Sequence, residues 1–135
     1  ITSLKKIVKI TTALNFYSTL IIVIAIVVFH KPLLNIFGEE FIKGGIILVI
    51  LCLGQLINSI SGSVGTILQM VGKQKVYQNI VVLALFLNII LNLTLIPLYG
   101  GVGAAISTAV SIASWNLLGA VYLKRKVNIT SYYNF

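Results

Sequence analysis

From Val76 to Leu123 not one residue carries a charge. A run of that kind cannot be the surface of anything that folds in water, and it constrains the chain more than any other feature. The hydrocarbon core of a bilayer is about 30 Å thick and takes roughly 20 helical residues at ~1.5 Å each. The run is therefore too long for one crossing and suits two. Pro97-Leu98-Tyr99-Gly100-Gly101 divides it, because proline ends a helix and paired glycines make a turn. Helices are predicted over about 76–96 and 102–123. Two more apolar runs precede them. One covers 10–29. The other covers 44–72, more than a crossing needs, so it is expected to tilt or bend, with Gly62 and Gly65 as the places. Sustained two-residue alternation is absent, which argues against a transmembrane barrel.

The fold class expected is all-α and integral to the membrane: four transmembrane helices in one region, 1–135. Composition agrees. Hydrophobic residues make up 59% of the chain and charged residues 9%, where soluble domains run near a quarter charged. The net charge of +8 would suggest nucleic acid in a soluble protein, but here the basic residues flank apolar runs. A bilayer is the partner this implies, and nucleic acid is not. Cys52 lies inside an apolar run and, as the one cysteine, has no internal disulfide partner. The chain begins at Ile1 with no cleavable leader pattern, which reads as a cut in a longer chain.

Charge also orients the spans. With four crossings, Lys5, Lys6, Lys9, Lys73, Lys75, Lys124, Arg125 and Lys126 share one side, against Lys31 and Lys43 on the other. By the positive-inside rule the first side, with both ends of the segment, is cytoplasmic. Tyr77 and Tyr122 then lie at the inner boundary, and Phe29, Phe37, Phe41 and Tyr99 at the outer one. Pro32–Phe41 is too short to cross and is expected to lie along the outer surface.

Polar side chains within the spans mark the faces that look at protein or water. Gln55, Asn58, Gly62, Gly65 or Thr66, and Gln69 recur at three- and four-residue intervals, a stripe down one helix face. Asn88 and Asn92 share a face of the third span. The fourth opens with small residues, including Gly103, Ser107 and Ser111 at a spacing that allows close helix contact. Gln55, Asn58 and Asn88 fall near the bilayer midplane, while Tyr17 and Trp115 lie too deep for an interfacial belt. Two readings stand for Gln55, Asn58, Gln69, Asn88, Tyr17 and Trp115: they line a polar cavity, or they hold helices together. His30 reads as an interfacial anchor or a proton relay. Lys9 reads as a topology determinant, or as a cation that reaches a phosphate at the cytoplasmic mouth. No span holds a carboxylate, and no cluster of metal ligands, phosphate loop or nucleophile with a base appears, so neither a metal, a cofactor nor an enzymatic activity is expected.

Two stretches carry more than composition. One is Phe37-Gly38-Glu39-Glu40-Phe41, then Gly44, an apolar run, Gly54-Gln55, Asn58 and Gly62, on to Gly72-Lys73-Gln74-Lys75. The other runs from Asn88 to Asn92, through Pro97-Leu98-Tyr99-Gly100-Gly101-Val102-Gly103-Ala104-Ala105, to Ser107-Thr108 and Ser111. In order, spacing and sidedness they resemble the C-terminal region of polysaccharide-repeat-unit flippases, the Wzx type of the multidrug/oligosaccharidyl-lipid/polysaccharide exporter superfamily. The resemblance implies a two-lobed transporter of about twelve helices, of which these are the last four, packed against the remaining helices of the same protein. It implies movement of undecaprenyl-diphosphate-linked oligosaccharides across the cytoplasmic membrane by alternating access. The cations for a diphosphate are then expected mainly from outside this segment. A drug/cation antiporter of the same superfamily is the alternative, though it would require carboxylates.

Overall fold

The computed structural model describes residues 2–127. Ile1 and residues 128–135, which belong to the ends placed on one side above, lie outside the described residues. In chain order the elements are α1 (Thr2–Val28), α2 (His30–Asn35), a 3-10 turn (Glu39–Gly44), α3 (Gly45–Ser61), α4 (Val64–Met70), α5 (Gln74–Tyr99) and α6 (Gly101–Tyr122), with a loosened π turn over Leu123–Val127. No strand occurs among the described residues. Four helical segments are long and apolar enough to cross a membrane: Lys6–Val28, Phe41–Met70, Gln74–Tyr99 and Gly101–Val127. The chain is an all-α membrane protein.

The helices depart from the hydropathy pattern in physically instructive places. α1 begins well before Ile10, because charge marks where hydrocarbon ends and backbone hydrogen bonding continues into the interface. The predicted 44–72 helix is two helices. Gly62 adopts φ 76°, a conformation glycine takes without a Cβ penalty, and it separates α3 from α4. Gly65, the other expected bend, instead sits inside α4. α4 closes at Gly72 (φ 72°), where Lys73 N–H donates to Leu68 O at 2.8 Å and Gly72 N–H to Gln69 O at 3.1 Å. This pairing is the Schellman arrangement, and it satisfies carbonyls that the helix end would orphan. Pro97 does not end the third span. α5 runs through it to Tyr99, since a proline near the end of a membrane helix forfeits one hydrogen bond and leaves the rest of the turn intact. Gly100 alone, at φ 56°, makes the turn into α6.

Packing sets the helices in a row, α1–α3–α6–α5: α6 lies between α3 and α5, and α1 packs on the far side of α3. The approach of α5 to α6 depends on Gly103, where a side chain would collide with the Leu95 carbonyl. Gly54 allows α3 the same closeness to α6, since a Cβ there would stand 3.2 Å from Ala109 Cα. Past the Gly62 break, α4 swings out of the row to touch both α5 and α6. Its Val64, Ile67 and Leu68 are buried with Val8, Ala120 and Leu123 in the main apolar cluster. That core therefore sits at the end of the row carrying Lys73, Lys75 and the Lys124–Lys126 triplet. At the opposite end His30 closes the α1–α2 junction: its Nδ1 donates to Val27 O at 2.7 Å, and its ring packs on Gly45. These are anchoring contacts.

A one-sided polar face as candidate functional site

A helix turns about 100° per residue, so the contacts of each helix fix which face its remaining residues occupy. On α1 the residues buried against the row are Val8, Thr12, Phe16 and Val23. Asn15 and Tyr17 flank Phe16 and therefore fall on opposite faces. Thr11, Asn15 and Ser18 share one face, and Tyr17, Ile21 and Ile24 the other, all of them exposed. On α3, Gly54 and Asn58 meet α6, and the buried Cys52 and Ser59 lie toward α1. Gln55, Leu48 and Leu51 project from one face between these contacts, and Ile46, Leu53 and Ile57 from the other. On α6, Thr108 and Trp115 lie on one face, and Val110, Leu117 and Val121 on the other.

α3 and α6 run in the same direction while α1 and α5 run against them, and every helix is right-handed. Following the turns through the row puts Thr11, Asn15, Ser18, Gln55, Thr108 and Trp115 on the same side. α5 adds Asn92 and Gln78 there. α4 lies in front of this side with Thr66 and Gln69 exposed. The two contact lines on α3, and likewise those on α6, are less than half a turn apart on the polar side, so the row is concave there. The convex side is mostly apolar: Ile46, Leu53, Ile57, Leu83, Ile90, Val110 and Leu117 are all exposed. Tyr17 and Asn79 are also exposed there, and the hydroxyls of Ser61, Thr94 and Ser114 on that side donate to carbonyls of their own helices.

The candidate residues distribute over this frame as follows. Asn58 joins two contacts. It accepts a 2.8 Å hydrogen bond from Asn116 Nδ2, and its own Nδ2 donates to Gln55 Oε1 at 3.4 Å. Gln55 and Gln69 are exposed, on either side of the Gly62 break. Asn88 accepts from Asn92 Nδ2 at 2.9 Å and lines a groove of about 320 Å³ between α5 and α6, together with Thr108, Ser111 and Trp115. Trp115 meets Tyr77 edge to face, ring centroids 6.1 Å apart. A smaller groove of about 100 Å³ between α1 and α4 is lined in part by Thr11, Ser63 and Thr66. Tyr17 stands apart from all of these, exposed on the convex side beside Phe16, and Lys9 is exposed near the basic end of α1. The structure thus brings Gln55 to Asn58 and Asn88 to Trp115, and joins neither pair to Tyr17 or Lys9.

The hydropathy pattern missed Asn116 and Asn15. Asn116 is wholly buried, bonded to Asn58 and to Ile112 O, with its Oδ1 unpartnered. A lone amide three-quarters of the way along an apolar helix carried the signal, because buried amides in lipid need partners. Among the described residues no group of three potential metal ligands converges.

This arrangement, four apolar helices with most of the exposed side-chain amides on one side, stands beside what the sequence matches. Residues 1–94 match the MatE family. The chain belongs to the MatE family. It is 36% identical over 110 residues to the probable low-salt glycan biosynthesis flippase Agl15 of Haloferax volcanii, covering 81% of this chain and 23% of that protein. It is 34% identical over 94 residues to the uncharacterized membrane protein MJ1375 of Methanocaldococcus jannaschii, covering 70% of this chain and 23% of that protein. The chain thus spans under a quarter of the length of these relatives. No solved structure matches it.

Proposed function

We propose that this MatE chain forms one wall of a translocation cavity in a flippase for polyprenyl-diphosphate-linked oligosaccharides, of the polysaccharide-repeat-unit kind. The observation that carries the reading is the gathering of exposed amides, Asn15, Gln55 and Gln78, on the concave side, while the hydroxyls of Ser61, Thr94 and Ser114 on the other side are spent on carbonyls of their own helices. Four lipid-facing helices do not need Thr11, Asn15, Ser18, Gln55 and Thr108 on a common side, and a wall facing a hydrated sugar does. These are uncharged donors and acceptors, which match hydroxyls. The relative Agl15, named a probable glycan biosynthesis flippase, supports the same substrate class. The only acidic residues, Glu39 and Glu40, precede α3, so nothing on this wall favours the cation antiporter. The basic end faces the cytoplasm of the cytoplasmic membrane by the positive-inside rule, and the remaining helices of the transporter face the concave side. α4, packed across the basic end, narrows that end of the wall.

The test uses the full-length transporter reconstituted in liposomes with a fluorescent lipid-linked oligosaccharide. Gln55→Leu and Asn15→Leu, on the concave side, are expected to keep wild-type abundance and lose most flipping. Ile57→Ala and Leu117→Ala, on the convex side, are expected to keep both. Equal flipping by all four variants at equal abundance would exclude the cavity wall.

A further inference from the structure

The α5–α6 groove has features that a generic polar wall does not need. It is about 320 Å³ in volume and combines an indole ring, Trp115, with the carboxamide of Asn88 and the hydroxyls of Thr108 and Ser111. The groove is open along its length, so a compact group would rest against its wall and not be enclosed by it.

Its hydrogen-bonding capacity is already partly committed. Asn88 Oδ1 accepts from Asn92, which leaves the two N–H groups of Asn88 to donate. Thr108 donates its proton to Ala104 O at 2.9 Å, and Ser111 donates to Ser107 O at 2.7 Å, so both hydroxyl oxygens remain as acceptors. Donors on α5 thus face acceptors on α6 across an apolar floor that includes Ala84 and Ile112. The Trp115 ring has an aromatic neighbour. Tyr77 meets it at 71°, and Tyr77 in turn lies against α4, where a Cβ on Gly65 would be 2.8 Å from its ring. The glycine is what lets Tyr77 come close enough to hold the indole in place.

We propose that this groove is a pyranose subsite, with Trp115 as the stacking platform for one sugar ring of the lipid-linked oligosaccharide. A pyranose has a face of C–H bonds and a rim of hydroxyls that both donate and accept. The C–H face is electropositive and suits the negative face of an indole. The rim suits an amide donor opposite hydroxyl acceptors. A hydrocarbon tail would use the floor of the groove and leave Asn88, Thr108 and Ser111 unmatched. The subsite rests on the reading of the concave face as a cavity wall, and it names the part of the substrate that this wall selects.

The test measures binding to the detergent-purified full-length transporter with two probes, a polyprenyl-diphosphate oligosaccharide and the same polyprenyl diphosphate without sugar. Trp115→Leu is expected to weaken the glycosylated probe about tenfold, the loss of ~1.4 kcal/mol, and to leave the sugar-free probe unchanged. Trp115→Phe is expected to recover most of the affinity. Leu85→Trp, which adds bulk to the α5 wall of the groove opposite α6, is expected to show the same selective loss, and it covers the case in which Trp115→Leu folds poorly. Equal weakening of both probes would overturn the subsite and assign the groove to the lipid tail. Unchanged binding of both by Trp115→Leu and Leu85→Trp would overturn it too. If the wild-type transporter fails to bind the glycosylated probe, the substrate class itself is wrong, an outcome distinct from loss of the subsite alone.

Discussion

Asn116 on α6 donates a 2.8 Å hydrogen bond to Asn58 on α3, a side-chain link across the centre of the row that buries Asn116 completely. The same Nδ2 also donates to Ile112 O at 2.9 Å, one turn back on its own helix. The pair ties α3 to α6 just above the point where α3 breaks. It places Asn58 in two roles, since its other end reaches Gln55 on the concave face.

Such a bond has a measurable worth. A double-mutant cycle with Asn58→Leu and Asn116→Leu, read by thermal unfolding of the full-length protein in detergent, is expected to give a coupling energy of about 0.6–2 kcal/mol. A coupling of zero would mean that the two amides act independently.

The glycines separate by what a methyl group would meet. Gly103→Ala drives a Cβ into the Leu95 carbonyl, a backbone group with nowhere to go, and Gly119→Ala drives one into the buried Val64. Both are expected to cost about 1–3 kcal/mol or more, as overpacking does. Gly44, with open space at its Cβ, is the control, and Gly44→Ala is expected to stay within about 0.5 kcal/mol of wild type. Unfolding temperatures of the three variants decide it.

Much of this fold was legible because lipid leaves few options. Uncharged runs and charge clusters located four crossings, and Gly62 was one of two positions marked for the bend. Less legible were features that depend on a neighbour. Pro97 reads as a helix end from local rules, yet α5 continues because only its last turn is affected. The stripe from Gln55 to Gln69 looks continuous in sequence, but the Gly62 break carries Gln69 into a separate helix against α5 and α6. Tyr17 and Trp115 look alike in depth. They differ because Phe16 turns Tyr17 to the convex side, while α5 packs a groove around Trp115. Asn116 has no polar periodicity around it, and its partner lies on another helix.

Orientation is testable without knowing the substrate. In a Cys52→Ala background, cysteines at positions 74 and 99 are probed in intact cells with a membrane-impermeant maleimide. Labelling at 99 and protection at 74 are expected from the basic residues flanking α4 and α5. The reverse pattern would invert the topology and leave the helix row as it is.

The sharpest test of the one-sided face uses two residues a single position either side of Phe16. Asn15 and Tyr17 are both exposed, lie at almost the same depth, and differ only in the face they occupy. Spin labels attached to cysteines at 15 and 17 in the full-length transporter, in lipid, report the solvent around each. Molecular oxygen concentrates in hydrocarbon, while a nickel chelate stays in water. The label at 15 is expected to relax with the chelate and the label at 17 with oxygen. Depth cannot produce that contrast, since residues two positions apart in a helix differ by only about 3 Å along the axis. It has to come from water on the concave side and lipid on the convex one. If both labels respond to oxygen alone, the concave side is packed or lipid-filled, and Asn15, Gln55 and Thr108 are seams between helices.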